Sequence, residues 1–489
     1  MARFPLIQMV TWEEERVLAE VATLAKTLKK SLRVWSCTQG LYSYTFEKAN
    51  QENLQDPISC LTEIIASPAN AVYVLLDFHA FWNNVQIIRK LRDTISKLKT
   101  SKKNIILLGP VDTLPIELVK DVVSIDFPLP SLEQITLTLT NLENDLQEKG
   151  QIQLNARERE NLIKSAQGLT QNEFENVLSI SLIQRKRIDR ETIPFLMEEK
   201  KQIIRKSGIL EYVDVDRGLE SVGGYRLLKE WIRKRSKALS NKAREFGIPP
   251  PKGLFLLGIQ GCGKSLIAKT IARDWQLPLL RMDVGRVFSG IVGSSEQNIR
   301  RAIQLAESIS PCILWVDEIE KAFAGVGSSN MSDAGTAARV FATFMTWLQE
   351  KKSPVFLVAT ANDLSLLPPE MIRKGRFDEV FFLDLPGTEA RKEVFSIHLS
   401  LFNRDAEQFD LKTLSFSSKG FSGAEIEQAI IDALYDAFEE NRPLTTKDIL
   451  IQLEQTHPLS EIMNESVSRL RSWAQHRTRS ASDEVELSF

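Results

Sequence analysis

The chain has 489 residues, more than a single hydrophobic core serves, so two or three domains are expected. Hydrophobic residues make up 43% and charged residues 26%, as in folded soluble domains, and a formal charge of −2 excludes a globally basic binder of nucleic acid or anionic membrane. No apolar run reaches the roughly 18 residues of a membrane helix, so no membrane insertion is expected.

Cys37, Cys60, Cys262 and Cys312 are scattered, which argues against a zinc site or a disulfide framework and for a reducing compartment. The start, MARFPLIQMVTWEEER, has neither the apolar stretch of a signal peptide nor the acid-poor character of a transit peptide. The protein is therefore expected to work where it is made.

In chain order, apolar runs at Leu32–Cys37, Val72–Asp77, Asn104–Leu108 and Val122–Phe127 read as buried strands, separated by amphipathic stretches such as Asn83–Lys99. This alternation predicts a parallel sheet flanked by helices. From Leu132 to about Lys200 the pattern is helical, and a polar linker is expected over Lys201–Glu220.

The scheme then repeats. Strands are expected at Leu254–Leu257, Leu279–Met282, Ile313–Asp317, Val355–Ala359 and Val380–Leu383, with helices between them. A helical segment is expected from Thr388 to about Glu454, and a disordered tail over Arg477–Phe489. The predicted domains are 1–200, a linker at 201–220, an α/β unit at 221–387, a helical unit at 388–456, and a C-terminal helix and tail at 457–489.

The halves share wording. GLTQNEFENVL at Gly168–Leu178 matches GFSGAEIEQAI at Gly420–Ile430 in residue type, and Val72–Asp77 stands where Ile313–Asp317 does. An internal duplication accounts for this; two unrelated α/β domains with chance matches are the other reading.

Gly258-Ile259-Gln260-Gly261-Cys262-Gly263-Lys264-Ser265, followed by Leu266, sits between a predicted strand and a predicted helix. This is the context of a phosphate-binding loop. Its backbone N–H groups and the helix N-terminus would cradle a polyphosphate, Lys264 would neutralise its oxygens, and the Ser265 hydroxyl would ligate Mg²⁺.

Ile313–Glu318 ends a buried strand in two carboxylates. About fifty residues after the loop, Asp317 suits the metal's shell and Glu318 suits the polarisation of a water, although such a pair alone also reads as a solvated strand end. Asn362, after the strand at Val355–Ala359, is either a turn asparagine or a contact to the terminal phosphate. Arg373 and Arg376 read by themselves as a basic turn.

GIQGCGKS, ILWVDE, VATAND, LPPEMIRKGRFDEV and GFSGAEIEQA together resemble the AAA ATPases, within their meiotic, fusion and metalloprotease-type branch. The resemblance implies a P-loop parallel sheet with a C-terminal helical lid, ATP and Mg²⁺ as cofactors, and a ring of copies, usually a hexamer. It implies that Asn362 is the first sensor and that Arg373 and Arg376 reach into the neighbouring subunit's site.

It further implies that Val222-Gly223 lies beside the adenine and His398 near the ribose and base. Taken alone, His398 reads as a half-buried helix histidine. Gly423-Ala424 matches the branch without a second sensor arginine.

VATANDLSLLPPEMIRKGRFDEVFFLDLP is similar to AAA proteins of red-algal plastid genomes and cyanobacteria, which implies a cyanobacterial cytosol or a plastid stroma. A remodeller of protein clients is expected. A nucleotide-dependent switch or scaffold is the other reading, because Ile291-Val292 stands where many ring translocases carry a pore aromatic.

The N-terminal half lacks GxxxxGK[ST]. Thr11 and Glu14 have capping-box spacing where a phosphate loop would enter its helix, so this half reads as a degenerate copy. The basic runs Arg185–Arg187 and Arg233–Arg235 read as solvated helix faces, and nucleic acid is not an expected partner.

Overall fold

The computed structural model describes residues 4–44, 51–52, 54–68, 70–146, 151–239, 243, 245–288, 294–323, 331–363, 367–368, 371, 373 and 375–483. Two compact units are present, Met1–Leu196 and Met197–Phe489.

The first unit runs β1 (Leu6–Val10), α1 (Glu14–Thr27), β2 (Ser31–Ser36), β3 (Gly40–Ser43), β4 (Gln51–Glu52), α2 (Pro57–Ala66), β5 (Ala71–Leu76), α3 (Val85–Leu98), β6 (Asn104–Gly109) and β7 (Val122–Asp126). The helices α4 (Leu132–Leu146), α5 (Ala156–Ala166), α6 (Gln171–Arg185) and α7 (Thr192–Ser207) follow. The boundary between units falls within α7.

The second unit continues with β8 (Leu210–Val213), α8 (Arg226–Ser236), β9 (Gly253–Gly258), α9 (Lys264–Trp275), β10 (Leu279–Met282), α10 (Val284–Phe288), α11 (Ser294–Ser308), β11 (Cys312–Val316), α12 (Met331–Glu350), β12 (Val355–Ala361) and β13 (Glu379–Leu383). It closes with α13 (Thr388–Leu401), α14 (Leu411–Ser417), α15 (Gly423–Glu439), α16 (Thr446–Gln455), α17 (Leu459–Ile462), α18 (Asn464–Ala474) and β14 (Arg479–Ser480).

The sheets are ordered β4-β3-β2-β5-β6-β1-β7 and β14-β13-β9-β12-β11-β10-β8. Their parallel cores, β7-β1-β6-β5-β2 and β13-β9-β12-β11-β10, have the same order when strands are numbered within each unit: fifth, first, fourth, third, second. The two halves therefore share a sheet topology. The strands β9, β11 and β12 are buried along their whole length, which is why they read as unbroken apolar runs rather than alternating ones. The helices α13–α16 pack around a core of their own that includes Phe395, Leu414, Ile426, Ile430 and Ile449.

The structure revises several expectations. The strand β1 was not among those expected, because buried Gln8 interrupts its apolar run; the Gln8 amide donates to the Val111 carbonyl at 3.3 Å. The supposed linker 201–220 holds the end of α7 and the edge strand β8, antiparallel to β10. The supposed tail, over its described residues 477–483, packs on the second unit. There, β14 adds to the edge of β13, Ala481 is fully buried and bonded to Phe382 O and Leu228 N, and Asp483 pairs with Arg226 at 2.6 Å. Ile291 and Val292 lie outside the described residues.

The correspondence between halves shifts by one residue. Asp77 and Glu318 both have positive φ (50° and 48°), and each is followed by a short 3-10 helix, Phe78–Phe81 and Ile319–Phe323. Asp77 therefore matches Glu318, and Leu76 stands where Asp317 does. The first unit has no carboxylate at the position of Asp317.

Its β1–α1 connection is also short, with three residues, Thr11–Glu13, against five, Ile259–Gly263, between β9 and α9. The expected Thr11–Glu14 capping box is absent. Glu13 is the N-cap residue, and the Thr11 hydroxyl accepts the Glu13 N–H instead.

The Glu13 carboxylate is buried. It accepts the Gln171 N–H at the start of α6 (2.7 Å) and pairs with Arg16 (2.6 Å), whose guanidinium lies over the Phe127 ring. Glu14 occupies the helix-start position that Lys264 holds in α9, and burial, then Asp77, pushes its pKa up.

Candidate active site

The loop after β9 turns back on itself at Gly261 and Gly263, both with φ of 80°. A Cβ at Gly261 would also stand 2.6 Å from the Ser422 hydroxyl, so a side chain there meets both backbone strain and a clash. Helix α9 starts at Lys264, which presents its N-terminal N–H groups to the loop.

The Lys264 ammonium is buried and donates to the carbonyls of Gly258 (2.9 Å) and Ile259 (2.8 Å); burial lowers its pKa. The Tyr225 hydroxyl lies 3.0 Å from the carbonyls of both Cys262 and Asp384, so it ties the loop to the end of β13. The Cys262 thiol is buried, and burial pushes its pKa up to about 12, which makes it an inert packing group.

Across the cleft, a chain of hydrogen bonds links the loop to the ends of β11 and β12. Ser265 Oγ donates to Asp317 Oδ1 at 3.2 Å. Thr360 Oγ1 donates to the same oxygen at 2.6 Å and accepts the Glu318 N–H at 2.9 Å. Asn362 Nδ2 donates to Glu318 Oε1 at 3.1 Å, and Lys321 pairs with the other oxygen of Glu318.

The lid closes the third side. Ser422 caps α15 in a capping box with Glu425, and Ala424 N donates to Gly261 O at 3.2 Å. Thr170 and Glu173 cap α6 in the same way, so part of the wording shared by the halves is helix-start grammar.

These groups line a cleft of about 340 Å³, within the range of small-molecule sites. Gln260–Leu266, Asp317, Glu318 and Asn362 form its polar end, and Val222, Gly223, Ile397, His398, Gly423 and Ala424 its other walls. His398 Nδ1 is 3.5 Å from Glu427 Oε1, while burial, the larger influence, lowers the His398 pKa. Gly258 and Ile259 are not in the lining and contribute through the carbonyls that Lys264 engages. Nor do Arg373, exposed, and Arg376, half-buried, line this cleft.

The residues fit a magnesium nucleotide. Ser265 and Asp317 converge as the hard oxygen donors that Mg²⁺ takes. The buried ammonium and the helix N-terminus suit a polyphosphate, and the apolar walls suit a base. Sequence reasoning missed Thr360 and Tyr225. The one hydroxyl in the apolar run Val355–Ala361 was the available signal for Thr360; Tyr225 gave none, because its partners come from distant segments.

Residues 254–385 match the family description "ATPase family associated with various cellular activities (AAA)", residues 1–127 "SpoVK-like AAA ATPase, N-terminal domain", and residues 133–207 "SpoVK-like AAA ATPase, second domain". The chain is 43% identical to the uncharacterized AAA domain-containing protein ycf46 of Pyropia yezoensis over 98% of its own length and 97% of that protein's. This chain belongs to the AAA ATPase family. The SpoVK-like matches cover the first unit and the end of α7. A second relative of the same name, from Trieres chinensis, is 44% identical over 97% of this chain and 94% of that protein. The proteasome-activating nucleotidase of Saccharolobus solfataricus is 26% identical over 76% of this chain and 91% of its own length.

Proposed function

We propose that this AAA ATPase hydrolyses ATP to ADP and phosphate and uses the cycle to remodel protein partners as a ring of its own copies, a hexamer in the arrangement usual for the family. The hydrogen-bonded chain Ser265–Asp317–Thr360–Glu318–Asn362 carries the reading, because it joins the phosphate loop to a carboxylate able to polarise water. Ser265 and Asp317 would hold Mg²⁺, which supplies charge neutralisation at the phosphates. Lys264 holds the phosphate oxygens, Glu318 accepts the proton of the attacking water, and Asn362 orients Glu318. Arg373 and Arg376 act on the site of the adjacent copy. The similarity to a proteasome-activating nucleotidase supports a protein client, and the algal relatives support a plastid stroma; a cyanobacterial cytosol is the alternative that the sequence resemblance leaves open.

A nucleotide-dependent switch or scaffold is the second reading, favoured by Ile291-Val292 in place of an aromatic. A substrate trap separates the two. Glu318→Gln, purified from its own cells with ATP, is expected to retain a client that Lys264→Ala, unable to bind nucleotide, does not. A trap that retains only further copies of the chain would favour the switch, and unaltered turnover in Glu318→Gln would remove the hydrolytic assignment.

A further inference from the structure

We propose that Glu320 is a positioning residue for ATP hydrolysis. Held in the 3-10 turn after β11, it fixes the backbone of Asn362 so that the Asn362 amide can reach Glu318. The inference rests on the hydrolytic reading above and adds a residue to it.

Glu320 is only 6% exposed. Its Oε1 accepts the Asn362 N–H at 2.9 Å, and its Oε2 is buried with no hydrogen-bond partner among the described residues. A buried carboxyl with an unanswered oxygen is unfavourable, and burial pushes its pKa up. Its one strong contact falls at a particular place.

Strand β12 ends at Ala361, so Asn362 is the first residue beyond the ladder. With Glu320 accepting its N–H, the Asn362 peptide is held, and the side chain is directed to Glu318 Oε1 at 3.1 Å. Glu318 in turn is held in the left-handed region by the Thr360 hydroxyl on its N–H. Two bridges therefore cross from the end of β12 to the turn after β11, one from Thr360 and one through Glu320. Without the second, the Asn362 peptide can rotate and its amide no longer has a fixed approach to the carboxylate. A displacement of about 1 Å at a reacting group can lower a rate by about a hundredfold.

The test compares the full-length wild type with Glu320→Met, Glu320→Gln, Asn362→Ala and the double variant Glu320→Met/Asn362→Ala. Steady-state ATP turnover is measured together with the affinity for a fluorescent ADP and the melting temperature. Methionine fills a similar volume without an acceptor: it leaves the Asn362 N–H unpaired, and it also removes the buried carboxylate oxygen that has no hydrogen-bond partner among the described residues, so the two effects on stability oppose each other. Glu320→Met is expected to keep its melting temperature and to bind ADP within about threefold of wild type, while kcat falls by about a hundredfold.

Glu320→Gln, whose amide oxygen can still accept the Asn362 N–H, is expected to recover at least about tenfold of that loss. Adding Glu320→Met to Asn362→Ala is expected to cost little more, because the two act in series. Wild-type turnover retained within about twofold in Glu320→Met, or full additivity in the double variant, overturns the positioning role while leaving hydrolysis intact. Loss of ADP binding or of folding in Glu320→Met that glutamine fully restores without restoring kcat also overturns it. A wild type without turnover overturns the hydrolytic reading and this inference with it.

Discussion

Thr360 donates its hydroxyl proton to Asp317 and accepts the backbone N–H of Glu318 on the same oxygen. One buried side chain therefore sets the spacing between the carboxylate suited to a metal and the carboxylate suited to a water. Thr360→Val keeps the shape and removes both bonds. A hydrogen bond to a charged group contributes about 1.5–3 kcal/mol. If most of that is orientation, turnover should fall by about ten- to a hundredfold, with nucleotide affinity retained. An unaltered kcat would show the bridge to be structural only. Lys264, Ser265, Asp317 and Glu318 were legible in the sequence because loop grammar and a strand ending in acids are local patterns. Thr360 and Glu320 were not, because their partners lie about forty residues away in the chain (separations of 43 and 42) and meet only when β11 and β12 pair.

At the scale of elements, the first unit has the strand order of the second unit's parallel sheet but a different connection after its first strand. The β1–α1 connection is too short to wrap a phosphate, and the Glu13 carboxylate takes the N–H of Gln171 at the start of α6. In the second unit, the start of α15 meets the phosphate loop through Ala424 and Gly261. The Glu13–Arg16 pair is almost wholly buried, with side chains 4% and 8% exposed. Removing one partner of such a pair costs about 3–5 kcal/mol. Glu13→Ala is expected to destabilise the first unit by about that amount, seen as an earlier denaturant transition. Nucleotide stoichiometry should stay at one per chain, all of it lost in Lys264→Ala. A second nucleotide that survives Lys264→Ala would contradict the degenerate reading.

At the scale of the molecule, Arg373 and Arg376 lie outside the lining of their own cleft. A site shared between copies predicts complementation. Arg376→Ala should bind nucleotide and turn over poorly, and Lys264→Ala should not bind it. Mixed assemblies of the two should regain part of the turnover, because some interfaces pair an intact loop with an intact arginine. No recovery over a range of mixing ratios would remove the shared-site argument. The residues 372 and 374, beside Arg373, lie outside the described part of the structure.

The sequence by itself determined the fold class, the phosphate loop, the acidic strand end and the family resemblance. Each of these is written in contiguous residues whose spacing follows from strand and helix geometry. It also showed that the first unit lacks a phosphate loop, but misread by one residue which position Asp77 holds. Composition does not reveal that Asp77 is the left-handed residue after its strand, as Glu318 is after β11. The tertiary structure alone decided the edge strands β8 and β14, the burial of Ala481, the burial of Glu13 and the positions of Thr360, Glu320 and Tyr225 around the site. The physical reason is common to them all. A short edge strand, a buried carboxylate or a bridging hydroxyl is stabilised by partners far away in the chain, and only the folded sheet brings those partners within hydrogen-bonding distance.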